Sequence, residues 1–292
     1  MGRALRCCAV VVWCARGVCA FSAPRGGACE PLAGVDTGAT PLLAPVDAAL
    51  PGVFAVPHVG GEEDGGGAYV VPAAKLLVGV PTAAGLEAIS AAGHAVETWF
   101  VPDRVADAAP QAAVRDAFPG ATRVVHRMDA GRGAYRRRDD VLLSAGDDAR
   151  GRANVSPTAR DAGGAGGTTT RKLDDGPWDL GGGLVARWAA GPSLGSCVLR
   201  YDVAGGVLFS GRCAGYDRAA RAVSAFALEA DHSAGAHARS LRDLAEASPE
   251  WDVAWLLPSR GAPARFPAPA DARDALRAAA DAAARLKVGG KN

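Results

Sequence analysis

The chain carries no surplus of charge of either sign: 32 Lys and Arg stand against 31 Asp and Glu, a formal net charge of +1. Without a broad basic field it offers no electrostatic footprint for nucleic acid, and without an acidic excess no solubilising tail. It also lacks long apolar runs. The stretch from Cys7 to Cys19 is broken by Arg16 and Gly17 and is too short to cross a hydrocarbon core of about 30 Å. Cysteine is scarce beyond the first thirty residues, where only Cys197 and Cys213 of the seven remain, so no disulfide framework holds the body of the chain. Those two read as small buried hydrophobes, with a disulfide or a ligand pair as the alternative. Histidine is scarce too, at five residues. What is abundant is Ala, Gly and Arg, a compositional bias that weakens every propensity argument. At 292 residues there is ample material for one large domain with a core.

Met1-Gly-Arg-Ala-Leu-Arg6 is a basic segment, Cys7 to Cys19 an apolar one, and Val18-Cys19-Ala20 supplies small residues before a cut. The following Ala20-Phe21-Ser-Ala-Pro24 and Arg25 resemble the bipartite plastid-targeting presequence of algae with secondary plastids. An ordinary secretory signal is the alternative. Residues 1–45 are accordingly expected to be signal, transit segment and linker, and residues 46–288 the folded domain. Gly146 to Gly176 contains GGAGGTTT and few apolar residues, and is expected to be a flexible insertion.

Within the domain the pattern predicts strands at Pro51–Pro57, Ala68–Pro72, Lys75–Val80, Glu97–Val101, Thr122–His126 and Asp252–Leu257. It predicts helices over Thr82–Ala92, capped by Thr82 and stopped by Gly93, and up to Phe118 with a restart at Pro110. Two more are expected over Ser240–Ala247 and over Asp271–Lys287 with Asp271 as cap. Arg136-Arg-Arg138-Asp-Asp140 reads as a solvated charge cluster. The clearest local signal is a hairpin, Cys197–Tyr201 and Gly206–Ser210, joined by Asp202-Val-Ala-Gly-Gly206. Its entering loop, Gly191 to Ser196, and its exit, Ser210-Gly-Arg212, contain neither His nor carboxylate, although strand-end loops are where chemistry is usually placed.

The strings Gly191-Pro-Ser-Leu-Gly-Ser-Cys-Val-Leu-Arg-Tyr201 and Gly206-Val-Leu-Phe-Ser-Gly-Arg212 resemble the metallo-β-lactamase superfamily signature "PGHTPGS…L…Y…GVLFTGD". Lys75-Leu-Leu-Val-Gly-Val-Pro81 is similar to its "ILIDTP" strand, and Leu256-Leu-Pro-Ser-Arg-Gly261 to "LLPGHG". Trp99 to Ala108 stands where "LTHxHxDH" belongs. The resemblance covers about Val53 to Leu286 and implies an α+β fold, a four-layer αβ/βα sandwich with a metal site at its edge. It also implies one or two Zn or Fe ions held by His and Asp, with metal-bound hydroxide as nucleophile.

The ligands themselves are missing. By this alignment the leading ligand of the first motif is Val101, its middle position Asp103, its Asp is Asp107 and its closing His is Ala108. The His of "PGHTPGS" is Pro192, followed by Ser193; the Asp of "FTGD" is Arg212; the His of "PGHG" is Arg260; the Asp of "LIDTP" is Gly79. Guanidinium has no lone pair to give a metal. Val101, Asp103, Asp107, Ala108, Pro192, Ser193, Arg212 and Arg260 are the candidates for a vestigial pocket in which Arg212 and Arg260 pair with Asp107 and Asp103. The expectation is a non-catalytic plastid pseudoenzyme whose pocket suits a small anion or a protein partner, without metal, nucleic acid or a membrane span. The alternative is a hydrolase of thioesters, lactones or phosphoesters holding Zn or Fe through Asp103, Asp107, Asp231, His232 and His237. His126 reads as structural, and His232 and His237 as part of a polar surface loop. His58 and His94 stand alone in loops. Ser193, Ser196 and Ser259 lack the nucleophile elbow and an assigned base.

Overall fold

The computed structural model describes residues 29–31, 42–59, 66–105, 107–130, 140–143, 177–226 and 233–286. In chain order the elements are β1 (Glu30–Pro31), β2 (Ala44–Pro45), β3 (Phe54–Val56), β4 (Ala68–Val71), β5 (Leu76–Val78), α1 (Ala83–Ala91), β6 (Thr98–Val101), α2 (Ala108–Ala117), β7 (Thr122–His126) and β8 (Val141–Leu143). The second half follows with β9 (Trp178–Gly181), β10 (Leu184–Trp188), β11 (Cys197–Tyr201), β12 (Val207–Gly211), β13 (Gly215–Asp217), β14 (Ala222–Ser224), α3 (Ala234–Ala245), β15 (Trp255–Pro258), β16 (Ala264–Arg265) and α4 (Pro269–Ala283).

Two seven-stranded mixed sheets result. The first runs β2-β3-β4-β5-β6-β7-β8 and the second β1-β16-β15-β12-β11-β10-β9. The strands that read as continuous apolar runs are covered on both faces, and their side chains divide with period two. Leu76, Val78 and Phe100 of the first sheet pack with Cys197, Leu199, Val207, Phe209, Trp255 and Leu257 of the second in one inner core. The intervening Leu77, Trp99 and Val101 pack outward with Leu86, Ile89 and Val114 of α1 and α2. Val198, Leu208 and Leu256 pack outward with Leu241, Leu244 and Leu276 of α3 and α4. Helices, sheet, sheet, helices is the four-layer sandwich that the sequence implies. No helix among the described residues is long and apolar enough to cross a membrane.

The hairpin of β11 and β12 forms over the expected residues, with Gly205 and Gly206 at φ of 83° and 96°. The cap on α1 is also as expected: Thr82 Oγ1 accepts the Gly85 amide at 3.2 Å. Other boundaries move. α2 runs unbroken through Pro110, because a proline in the first turn removes an amide that has no helical partner there. α3 starts six residues before the expected Ser240, capped by Ser233 Oγ, which accepts the Ala236 amide. Its opening Ala-Gly-Ala-His-Ala carries no large apolar residue to set a period, yet His237 and Ala238 are buried. α4 starts at Pro269, and Asp271 is not its cap; its Oδ2 instead accepts the Ala268 amide from within the first turn. Within the stretch read as transit tail and linker, Glu30–Pro31 pairs with β16 and Ala44–Pro45 with β3. Asp140 is not solvated: it is buried between Arg115 (2.6 Å) and Arg123 (3.1 Å), both guanidiniums lying over Trp99. The rest of that charge cluster, and the Gly/Thr-rich stretch at 146–176, lie outside the described residues.

Candidate functional site

β5 and β6 run parallel, β3 runs in the same direction as β5 through the antiparallel β4, and β12 and β15 run parallel in the other sheet. The loops that follow these five strands converge on a cavity of about 270 Å³. From the first sheet come His58 and Val59 after β3, Gly79 and Val80 after β5, and Val101, residues 102–105 and Asp107 at the end of β6. From the second come Arg212 after β12 and Ser259 and Arg260 after β15.

The two sheets are joined at the cavity floor by Asp103. Its Oδ2 accepts the backbone amide of Arg212 at 2.8 Å and lies 3.8 Å from Arg212 Nε. Arg212 Nη2 donates to the carbonyl of Arg104 at 3.2 Å. The approach requires Gly211: at φ of 57°, a Cβ there would stand 2.4 Å from Asp103 Oδ2. Beside it, the Ser259 amide donates to the Gly211 carbonyl at 2.8 Å, which ties the ends of β12 and β15 together. Arg260 extends over the ring of Phe226, 5.4 Å from its centroid.

His58 closes the other wall. Its Nδ1 accepts the Val80 amide at 3.3 Å, so the neutral ring carries its proton on Nε2. Burial lowers its pKa to about 4, and Arg212 acts in the same direction. Among the described residues the cavity is lined by three guanidiniums, those of Arg104, Arg212 and Arg260, and two carboxylates, Asp103 and Asp107, around a neutral imidazole.

Of the residues expected in the pocket, Val101, Asp103, Asp107, Arg212 and Arg260 line it, whereas Ala108, Pro192 and Ser193 do not. The expected pairing holds for Arg212 with Asp103. Asp107 occupies the N-cap position of α2 without accepting a side-chain cap bond, and Arg260 faces an aromatic ring. His58, Arg104 and Ser259 were not anticipated there.

Ser193 belongs to a neighbouring network. It donates to Asp129 Oδ2, its hydroxyl lies 2.7 Å from that of Ser196, and its amide donates to Ser196 Oγ at 2.9 Å. Asp129 Oδ1 accepts the Gly195 amide at 3.2 Å. Burial is the main reason the Asp129 carboxyl is raised to about 6, with Asp103 adding to it; Ser193, Gly195 and Arg104 oppose the rise. Cys197 and Cys213 are both free and fully buried, their thiols raised chiefly by burial and directed at the carbonyls of Gly195 and Ala189. The reading as small hydrophobes is the one the structure has, not the disulfide.

The other described histidines, His94, His126 and His237, do not line the cavity. His237 is not in a surface loop: it is fully buried in α3, its Nε2 2.6 Å from the Cys213 carbonyl. His126 stacks on Trp188 (5.9 Å, 8° between planes), accepts the Met128 amide at Nδ1 and is lowered by burial to about 4. His94 leans on Phe54. Asp231 and His232 lie outside the described residues.

A zinc or iron ion does not fit this donor set. Among the described residues the cavity has one imidazole, with Nδ1 already committed to a backbone amide, and two carboxylates, Asp107 and the Asp103 that accepts the Arg212 amide with the Arg212 guanidinium 3.8 Å away. Borderline cations need several imidazole, thiolate or carboxylate donors at about 2.0–2.3 Å. Among the described residues no cluster of three or more His, Cys, Asp or Glu is placed to hold one.

The fold and cavity define a four-layer α/β sandwich whose strand-end loops build a cationic pocket at one edge. Its similarity among solved structures lies with metallo-β-lactamases. The Rm3 metallo-β-lactamase matches at 13% identity over 83% of this chain and 89% of its own, with a TM-score of 0.44. MEM-A1, a subclass B3 enzyme isolated from a soil metagenome library, matches at 13% over 87% and 92%, with a TM-score of 0.43. The Cronobacter sakazakii metallo-β-lactamase with a HARLDQ motif matches at 14% over 72% and 78%, with a TM-score of 0.40. No family model and no curated protein matches the chain.

Proposed function

We propose that this protein binds a small anion in the cavity at the strand ends and works through that binding rather than through metal-dependent hydrolysis. The observation that carries the reading is the lining: Arg104, Arg212 and Arg260 against Asp103 and Asp107, around an imidazole held neutral. Guanidinium presents a planar fork of donors that matches carboxylate and phosphate oxygens. Asp103 holds the Arg212 backbone and so fixes the side-chain origin of one fork before any ligand arrives. Fixed cations therefore stand where the resemblance would put a metal ion.

Thermal unfolding in acetate or inorganic phosphate, at constant ionic strength against chloride, tests this. A ligand at a hundred times its Kd adds about 2.7 kcal/mol to stability, a shift of several degrees. The melting temperature is expected to rise with anion concentration, and the rise to vanish in Arg212→Gln/Arg260→Gln. An equal rise in parent and double variant, or none in the parent, contradicts the reading. Esterase or thioesterase activity abolished by a chelator would favour the hydrolase instead. The location we assign is the plastid. Residues 1–45 fused to a fluorescent protein are expected to carry it there, and secretion of the fusion would overturn that assignment.

A further inference from the structure

We propose that the anion this cavity takes is a protonated tetrahedral oxyanion, a phosphate or phosphate monoester. His58 Nε2 and Ser259 Oγ donate to it, and the Asp107 carboxylate accepts from its P–OH group. The inference rests on the anion reading above and deepens it by naming the ligand class and three contacts.

Three polar groups on the lining have no bond to any described residue. Ser259 follows β15, is 5% exposed, and has its backbone fixed by the bond from its amide to the Gly211 carbonyl. Its buried hydroxyl makes no hydrogen bond among the described residues, a cost that a ligand oxygen offsets. His58 is held as firmly, because its backbone bridges Pro81 and its Nδ1 accepts the Val80 amide. The other ring nitrogen, Nε2–H, is a donor without a partner among the described residues. The Arg212 guanidinium acts electrostatically on the same ring, so the two share the cavity. Asp107 stands at the N-cap position of α2, yet its carboxylate accepts nothing from the first turn.

The number and placement of these groups select the ligand. Donors arrive on four loops from both sheets: His58 after β3, Arg104 after β6, Arg212 after β12, and Ser259 with Arg260 after β15. A carboxylate has two oxygens in one plane, which a single guanidinium fork satisfies. Donors on four loops suit oxygens at the corners of a tetrahedron. Asp107 then separates phosphate from sulfate, because an ionised carboxylate can only accept. Phosphate esters, with a second pKa of about 6, have a proton to offer it, whereas sulfate has none. About 270 Å³ is smaller than the roughly 300–1,000 Å³ of typical ligand cavities, which fits a head group with little attached.

Calorimetric titration of the full chain with inorganic phosphate, methyl phosphate, sulfate and acetate tests this, at constant ionic strength and about pH 6, where the P–OH proton is present. Phosphate is expected to bind about tenfold or more tighter than sulfate and acetate, the worth of one hydrogen bond to a charged group. Ser259→Ala is expected to weaken phosphate about tenfold, as is His58→Asn, whose Oδ1 can still accept the Val80 amide. Asp107→Asn, at an exposed position, is expected to bring sulfate within about threefold of phosphate. Methyl phosphate binding as tightly as inorganic phosphate assigns the site to esters, and weaker binding assigns it to the free ion. Sulfate or acetate binding as tightly as phosphate overturns the class and leaves the anion reading standing. Failure of all four probes to bind overturns both. Unchanged phosphate affinity in both Ser259→Ala and His58→Asn overturns the donor assignment, and an unchanged phosphate-to-sulfate ratio in Asp107→Asn overturns the acceptor. Should either buried variant not fold, as judged by circular dichroism, the parent series and Asp107→Asn decide the class.

Discussion

Replacing Asp129 by Asn tests a carboxyl whose pKa the fold raises. Asp129 accepts from Ser193 Oγ and from the Gly195 amide, tying the loop after β7 to the loop before β11. Burial, reinforced by Asp103, raises its pKa from 3.8 to about 6, with Ser193, Gly195 and Arg104 limiting the rise. An acid with a raised folded pKa is protonated more readily in the native state than in the unfolded chain. Its contribution is therefore fully present below pH 3.8 and is lost as pH rises through 6. Two units correspond to about 3 kcal/mol, of which roughly 2 kcal/mol falls between about pH 4.5 and 7.5. His58 and His126, lowered from 6.5 to about 4, act oppositely: their contribution is present above 6.5 and lost as pH falls through 4. The parent alone thus shows a mixture, and the difference between parent and variant is the informative quantity. The Asn side chain resembles the protonated acid, its carbonyl accepting from Gly195 and its amide donating to Ser193. Urea unfolding followed by tryptophan fluorescence, at half-unit steps from about pH 4.5 to 7.5, should show the Asp129→Asn variant gaining about 2 kcal/mol on the parent as pH rises. A flat difference, or one of opposite sign, refutes the placement of Asp129 in a buried, anion-facing network.

Gly211→Ala forces a Cβ to within 2.4 Å of Asp103 Oδ2 at a φ of 57°; a left-handed alanine together with a weakened bond from the Arg212 amide should lower unfolding free energy by about 2–4 kcal/mol in denaturant titration. His126→Phe keeps a ring against Trp188 but removes a group that must charge in acid, so between pH 6.5 and 4 the variant should lose less stability than the parent, by up to about 3 kcal/mol, measured by the same unfolding assay.

The layers were legible because paired glycines and period-two alternation at β11 and β12, and the Thr82 cap of α1, are local signals that packing does not override. The first turns of α3 are not legible because Ala, Gly and His carry no apolar period, and the buried His237 finds its partner in the Cys213 carbonyl, 24 residues away in the chain. The cavity was half legible. Asp103, Asp107, Arg212 and Arg260 follow strands whose apolar runs announce themselves. His58, Arg104 and Ser259 join them only because five strands end at one edge, an arrangement set by sheet order rather than by neighbours in sequence. Pro192 and Ser193 were misplaced for the converse reason: their loop turns to Asp129, and no local pattern records that partner. Asp140 likewise takes its meaning from Arg115 and Arg123 on α2 and β7.

The central claim is that guanidinium charge occupies the place of a metal ion in this cavity. Elemental analysis of protein expressed with added zinc and iron, then purified without chelators, tests it most directly. The account predicts far less than one equivalent of either metal per chain. Close to one equivalent of zinc or iron retained through dialysis, and lost in an Asp103→Asn/His58→Gln variant that keeps its fold, would contradict it.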